Sequence, residues 1–333
     1  MNPNFKPAGA RTVVVGGGTM GADVAIVLAR GGALVTVVDP SPAQRERLAP
    51  HVAAELQVAG FGYRAAAVSS VESLEDVAWD GVVLVVECIT ERLDAKQALF
   101  ARLETLAPAD ALLASNSSSF PISAIGQGLV SQQRMLGLHF FMPAHLVPLV
   151  EVVCGTGSDT ALATWLCDFM RACGSVPVLV RKDKPGFLAN RLQHALSREA
   201  FAMIDEGIAS PEDVDAAVRF GFGFRYLAAG PVMQRDHAGI DVHCAAAATM
   251  YPSLSNTAEP ALALSERVAR GELGMKTGKG FFDWPEDRRL AERARYDALL
   301  RHGLALLAPE LPVIDRSDAP ASSAAPSLAD THA

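Results

Sequence analysis

The run Gly16-Gly17-Gly18-Thr19-Met20-Gly21 satisfies the spacing GxGxxG. It follows a β-rich stretch, Thr12–Val15, and opens a helical one, Met20–Arg30. In that context the glycines have separate physical tasks. Gly16 permits a tight turn, Gly18 lets the backbone approach a pyrophosphate, and Gly21 lets the helix lie close on the sheet. With Thr19 and Met20 they place a diphosphate at a helix N-terminus. Asp39 ends the next strand, Leu34–Val38. A carboxylate there accepts from both ribose hydroxyls and repels a 2′-phosphate, which selects NAD over NADP. Arg45 and Arg47, close downstream, are the features that would suit NADP. A second constellation could move a proton. His139 ends an apolar strand, where an open α/β sheet places its ligand crevice. An imidazole has its pKa near working pH, so His139 can serve as a base for an alcohol proton. Glu151 lies on the returning apolar run, and a turn through Pro143 and Pro148 brings it beside His139. A carboxylate there would orient the ring and stabilise the imidazolium. A satisfied core histidine is the plainer alternative, and His145 is a rival base.

These groups must be carried by alternating elements. The further strands predicted are Gly81–Glu87, Ala111–Ser115, Met135–Phe140, Leu149–Val153 and Val176–Val180, with helical stretches such as Asp94–Leu106 between strands. Continuous apolar strands separated by helices predict an α/β Rossmann domain with a mostly parallel sheet. The pattern changes near Asp183. Beyond it the sequence reads as helices over Phe187–Glu206, from Ser210, over Val232–Met250, Ala261–Arg270 and Pro285–Leu307. The expected division is 1–183 for the NAD-binding domain, 184–307 for an all-α domain and 308–333 for a disordered tail.

Composition bounds the partners. The chain has 333 residues, 50% hydrophobic and 20% charged, which suits two globular domains. Its net charge is −8, from 29 Lys and Arg against 37 Asp and Glu, and this argues against nucleic acid or an anionic membrane. The apolar runs are too short for a membrane span, and the N-terminal stretch lacks the apolar core of a signal peptide. The five cysteines show no CxxC spacing, so neither a disulfide scaffold nor a metal site is expected. A cytoplasmic location follows as the expectation.

A wider set of motifs carries a family resemblance. Ser115-Asn116-Ser117-Ser118-Ser119, Gly137-Leu138-His139-Phe140-Phe141-x-Pro143, Leu149-Val150-Glu151-Val152-Val153, Pro185-Gly186-Phe187-x-x-Asn190-Arg191 and Gly274-Met275-Lys276-Thr277-Gly278-Lys279-Gly280-Phe281 follow one another in order. Together they resemble the L-3-hydroxyacyl-CoA dehydrogenase family, from about Thr12 to Trp284. The resemblance implies a Rossmann domain followed by a helical domain that forms a homodimer. It implies His139 and Glu151 as the catalytic pair, with Ser118 and Asn190 on the reacting oxygen. It also implies cofactor contacts from Glu91, Lys96 and Asn116, the last beside the nicotinamide ribose.

Three departures bear on the substrate. Met142 stands where the family has asparagine after His-Phe-Phe. The segment from Asp39 to Val71 is short, with Arg45, Arg47 and Arg64 its only Lys or Arg, where the family usually has a longer basic hairpin that grips CoA. Arg225 in Gly221-Phe222-Gly223-Phe224-Arg225-Tyr226 resembles relatives acting on small free acids, and arginine suits a carboxylate. A salt bridge at a surface or dimer interface is the structural alternative for Arg225. The expectation is NAD-dependent oxidation of a short 3-hydroxyacyl-CoA at its 3-hydroxyl. The alternatives are a dehydrogenase of a small free hydroxy acid or hydroxymethyl carboxylate, and a catalytically silent NAD-binding protein of the crystallin kind.

Overall fold

The structure, a computed structural model, describes residues 6–320. The strands are β1 Arg11–Val15, β2 Leu34–Val38, β3 Val68–Val71, β4 Val82–Glu87, β5 Leu112–Ser115, β6 Met135–Phe140, β7 Leu149–Cys154 and β8 Val176–Val180. They form one sheet in the order β3-β2-β1-β4-β5-β6-β7-β8. All neighbours run parallel except β6 and β7, which are antiparallel. The sheet strands are valine- and leucine-rich because both faces are covered; every residue of β4 is buried. The helices of this part are α1 Thr19–Arg30, α2 Pro42–Val58, α3 Leu93–Leu106, α4 Ile122–Ile125 and α5 Thr160–Ala172. The chain leaves β1 toward β2 on one side, and β4 then lies on the other side of β1. The ends of β1 and β4 therefore flank the crevice where such sheets bind ligands.

The chain divides into two units. The first runs to Leu188 and takes in the stretch from Pro309. The second is Ala189–Ala308 and contains α6 Ala189–Asp205, α7 Pro211–Ala217, α8 Gly223–Arg225, α9 Pro231–Ala238, α10 Ile240–Met250, α11 Leu262–Ala269 and α12 Glu286–Leu307. Within it, Phe201 stacks on Phe281 with ring centroids 5.5 Å apart, and Asp205 accepts from the amides of Leu262 and Ala263 at the start of α11. The helix expected over Val232–Met250 is two, because Gly239 at φ 94° breaks it. Among the described residues no helix is long and apolar enough to cross a membrane.

Two boundaries differ from the sequence expectation. The first unit extends past Asp183 to Leu188, because Phe187 is buried in its core. The tail expected to be disordered is ordered as far as Pro320. Ile314 packs on the core of the first unit, against Gly174, and Arg316 lies over the Phe61 ring at 3.9 Å and donates to the Gly60 carbonyl at 3.1 Å. Asp318 pairs with Arg64, whose Nη2 also donates to the Asp315 carbonyl at 2.6 Å. A polar, proline-containing composition concealed one apolar anchor and two charged ones. Residues 321–333 of the expected tail lie outside the described residues.

Candidate active site

The glycine loop has the shape its spacing predicts. Gly16 sits at φ 103°, and a Cβ there would lie 2.7 Å from the Cys88 carbonyl that follows β4. A Cβ at Gly21 would lie 1.7 Å from the Gly16 carbonyl, so α1 can approach the turn only with glycine there. A Cβ at Gly18 would meet nothing within 4 Å, which leaves that face of the loop free for a ligand's approach. Gly18 caps α1 without a side-chain hydrogen bond. The amides of the first turn, from Thr19, can therefore serve a diphosphate. Asp39 fixes the loop: its Oδ2 accepts from the Gly17 amide at 2.7 Å and its Oδ1 from the Ser41 amide at 2.8 Å. The residues fit a dinucleotide. Arg45, a candidate for a 2′-phosphate, is engaged, donating to the Asp39 carbonyl at 2.7 Å and pairing with Glu72 at 3.3 Å.

His139 and Glu151 are direct partners across the antiparallel β6–β7 pair. Their side chains meet with His139 Nδ1 2.6 Å from Glu151 Oε2. Both are buried. An ionised carboxylate only accepts, so Nδ1 carries the proton; in the neutral ring Nε2 then keeps its lone pair. Nε2 lies 3.1 Å from the Ser118 hydroxyl, and Ser118 is exposed. The ring is walled by Phe141 and Phe187, with centroids 4.6 and 5.5 Å away. Glu151 Oε1 accepts from the Leu188 amide at 3.0 Å. Phe187 reaches this position at φ 49°, a left-handed backbone costing on the order of 1–3 kcal/mol, retained because its ring is buried against His139. Phe187, expected from the sequence to begin the helix that follows, instead sits in a left-handed turn before α6, which starts at Ala189; the Pro185-Gly186 step is the sequence signal for that turn.

The serine loop is organised from below. Glu91 Oε1 accepts from the Ser117 and Ser119 hydroxyls at 2.6 and 2.7 Å, and from the Ser118 and Ser119 amides at 3.1 Å each. Burial alone would raise this carboxyl, but the Ser117 and Ser119 hydroxyls, the Lys96 charge and a Ser119 amide bond outweigh it and bring it down to about 2. Lys96 is buried between two carboxylates, its Nζ 2.6 Å from Glu87 Oε1 and 3.2 Å from Glu91 Oε2. Glu87 Oε2 also accepts from Ser115 Oγ at 2.6 Å. Lys96 is thus placed to act through Glu91, being itself 1% exposed. Asn116 Oδ1 accepts from the Phe140 amide at 2.9 Å, tying the ends of β5 and β6.

The remaining candidates fall elsewhere. His145 pairs with Asp23 and Glu55 rather than with Glu151. Asn190 is half-buried at the start of α6 in the second unit. Arg225 ends α8 there, exposed, and its guanidinium makes no side-chain hydrogen bond or ion pair among the described residues.

A dinucleotide-type glycine loop braced by a carboxylate at the end of β2, together with a histidine bonded to a buried glutamate, is the arrangement of an NAD-dependent dehydrogenase. Residues 11–184 match the family model described as 3-hydroxyacyl-CoA dehydrogenase, NAD binding domain, and residues 186–284 match the C-terminal domain of the same family. The chain belongs to the 3-hydroxyacyl-CoA dehydrogenase family: it is an oxidoreductase with NAD as cofactor. It is 33% identical over 290 residues to the 5-formyl-3-hydroxy-2-methylpyridine 4-carboxylate 5-dehydrogenase of Mesorhizobium japonicum, covering 85% of this chain and 94% of that one. It is 34% identical over 284 residues to the 3-hydroxyadipyl-CoA dehydrogenase of Escherichia coli, covering 83% of this chain and 59% of that one. A crystal structure of the former activity, described as an NAD+-dependent dismutase, matches with TM-score 0.84 at 30% identity, over 90% of this chain and 98% of that one. The (S)-3-hydroxybutyryl-CoA dehydrogenase of Ralstonia eutropha matches with TM-score 0.68 at 28% identity, over 84% and 100%.

Proposed function

We propose that the protein oxidises a carbon bearing both hydrogen and hydroxyl in a small substrate with a free carboxylate. His139 Nε2 takes the hydroxyl proton as the carbonyl forms. Bound NAD+ supplies the acceptor for the hydride. Glu151 holds the Nδ1 proton and stabilises the imidazolium. Ser118, together with Asn190, hydrogen-bonds the reacting oxygen, and Arg225 receives the carboxylate. On the cofactor side, Gly16, Gly18, Thr19, Met20 and Gly21 take the diphosphate and Asp39 the ribose. Asn116 shapes the nicotinamide end, with Glu91 and Lys96 supporting it from beneath.

The observation that carries the substrate choice is the employment of the arginines after β2. This segment holds three, and two are occupied internally: Arg45 by the Asp39 carbonyl and Glu72, Arg64 by Asp318. Little cationic charge is left there for the phosphates of CoA. The Arg225 guanidinium, by contrast, has no hydrogen-bond or ion-pair partner among the described residues. The higher TM-score with the pyridine carboxylate dehydrogenase supports the same reading. This reverses the order expected from sequence. The thioester reading stays second, supported by the family match of both domains.

One panel separates them. NADH formation is followed with 3-hydroxybutyryl-CoA, free 3-hydroxybutyrate, and hydroxymethyl and formyl pyridine carboxylates. A free acid is expected to win, and Arg225→Met is expected to cost roughly 10–150-fold in kcat/KM with Tm unchanged, the scale of a hydrogen bond to a charged group. Preference for the thioester, undiminished in Arg225→Met, would overturn the small-acid reading.

We further propose that the second unit forms a homodimer. None of α6, α7, α9, α10 and α12 has a buried residue. Phe220, Val232 and Tyr251 are 74, 78 and 70% exposed. Apolar surface on this scale marks an interaction site.

A further inference from the structure

A second cluster of ionisable side chains lies away from the base. Asp23, one turn into α1, is buried. Its Oδ2 accepts from the Ala144 amide at 3.0 Å, in the turn that joins β6 to β7. Its Oδ1 lies 3.1 Å from His51 Nε2 on α2 and 3.1 Å from His145 Nδ1 on the same turn. His145 Nε2 lies 3.2 Å from Glu55 Oε2, also on α2. The two imidazole rings meet edge to face at 6.0 Å. Arg30, from the end of α1, donates to the His145 carbonyl at 3.3 Å. Among the described residues no three such donors converge on a point a metal could occupy. The cluster is one of protons and charges joining α1, α2 and the turn.

We propose that Asp23 is a positioning residue for the base: it pins the turn between the strands bearing His139 and Glu151, and the protonation of His51 sets how firmly it does so. The turn closes the hairpin on which His139 and Glu151 are register partners, so its seating sets their spacing. Ala144 and Leu146 are buried, which makes the seat a packed one. His51 is the titrating arm because its side chain is 41% exposed, within reach of solvent protons. With His51 charged, buried Asp23 has a counter-ion. With His51 neutral, Asp23 loses that counter-ion and shares only the His145 ring with Glu55.

The direction of each titration agrees with this. His51 is lifted above its ordinary value of 6.5, first by its bond to Asp23 and then by the charges of Asp23 and Glu55, against burial and Arg47. Its contribution to stability is complete below that ordinary value and is lost as pH rises through the folded value. Burial raises Asp23, but its contact with His145 and its bond to His51 outweigh that, and the carboxyl lies below its ordinary 3.8. Its contribution is present above 3.8 and is lost as pH falls. The clasp is therefore complete in mildly acidic solution and loosens toward alkaline pH.

The catalytic consequence rests on His139 being the base, but the test needs no substrate. The proton on His139 Nδ1, bonded to Glu151, gives a far-downfield NMR line that reports their spacing. It is read on the full chain from pH 6 to 9, alongside Tm. In the wild type the line is expected to shift and broaden as pH rises, and Tm to fall by about 2 °C more than in His51→Gln. His51→Gln keeps a donor without a titrating charge and should flatten both responses. Asp23→Asn keeps an acceptor for Ala144 without the charge and should displace the line throughout the range. An identical line and an identical Tm profile in wild type and His51→Gln would overturn the proposal; should Asp23→Asn fail to fold, His51→Gln alone decides. Failure here leaves the dehydrogenase reading standing, and failure of the substrate panel leaves this one standing.

Discussion

At the scale of the residue, the site separates orientation from reaction. Glu151 fixes which nitrogen of His139 holds the proton, and in the proposed reaction Nε2 serves the substrate. His139→Ala should lower kcat by about 10²–10⁴, the usual worth of a general base. NAD binding, measured by NADH fluorescence titration, should be unchanged, since the dinucleotide loop is held by Asp39 and Gly17. His145→Ala should keep far more turnover; the reverse outcome would move the base to His145. Asp39→Ala should narrow the kcat/KM preference for NAD over NADP, because the repelling carboxylate is gone. Arg45 would lose no partner, as it binds the Asp39 backbone carbonyl. Glu91 makes a prediction about pH. Its carboxyl lies lowered to about 2, so its hold on the serine loop is complete above its ordinary 4.5 and fails only as pH falls toward 2. Amide chemical shifts of Ser118 and Ser119 should therefore stay constant from pH 7 to 4. Glu91→Gln should shift them at neutral pH and weaken the Ser118 contact to His139.

At the scale of the element, legibility in sequence followed how much apolar pattern each piece carries. β1, β4 and β6 read as strands because both faces are covered, so their apolar runs are unbroken. β3, Val-Ser-Ser-Val at the sheet edge, has no such run and was missed. The pairing of His139 with Glu151 was legible because a turn between two apolar runs makes an antiparallel register. The cradle under Ser117–Ser119 was not, since it depends on one carboxylate returning from a loop 26–28 residues earlier. The tail failed for a related reason: its anchors, Ile314, Arg316 and Asp318, are single residues without period. Removing everything after Ala308 should therefore cost stability. Exposing a half-buried isoleucine and its neighbours is worth about 1–2 kcal/mol, or roughly 2–8 °C in Tm. An unchanged Tm in calorimetry would show the contacts to be energetically idle.

At the scale of the whole molecule, the first unit has a conventional core whereas the helices of the second bury almost nothing within one chain. Sedimentation of the full chain at micromolar concentration should give a dimer. Phe220→Glu with Val232→Glu should shift it to monomer, since a charge inside an apolar contact is costly. A monomeric wild type would remove the dimer proposal and leave the exposed helices unexplained.

The return of the chain to the first unit after Ala308 also orders events in time. Ribosomes release the C-terminus last, and domains generally fold as they emerge. The sheet can assemble while the second unit is still being made, but the surface around Phe61, Gly174 and Arg64 stays open to water until Ile314, Arg316 and Asp318 arrive. During that interval Arg64, buried in the finished protein, is an unpaired cation. Residues translated after the second unit thus complete a unit begun before it, and a nascent chain stalled near residue 308 exposes a patch that the finished protein hides.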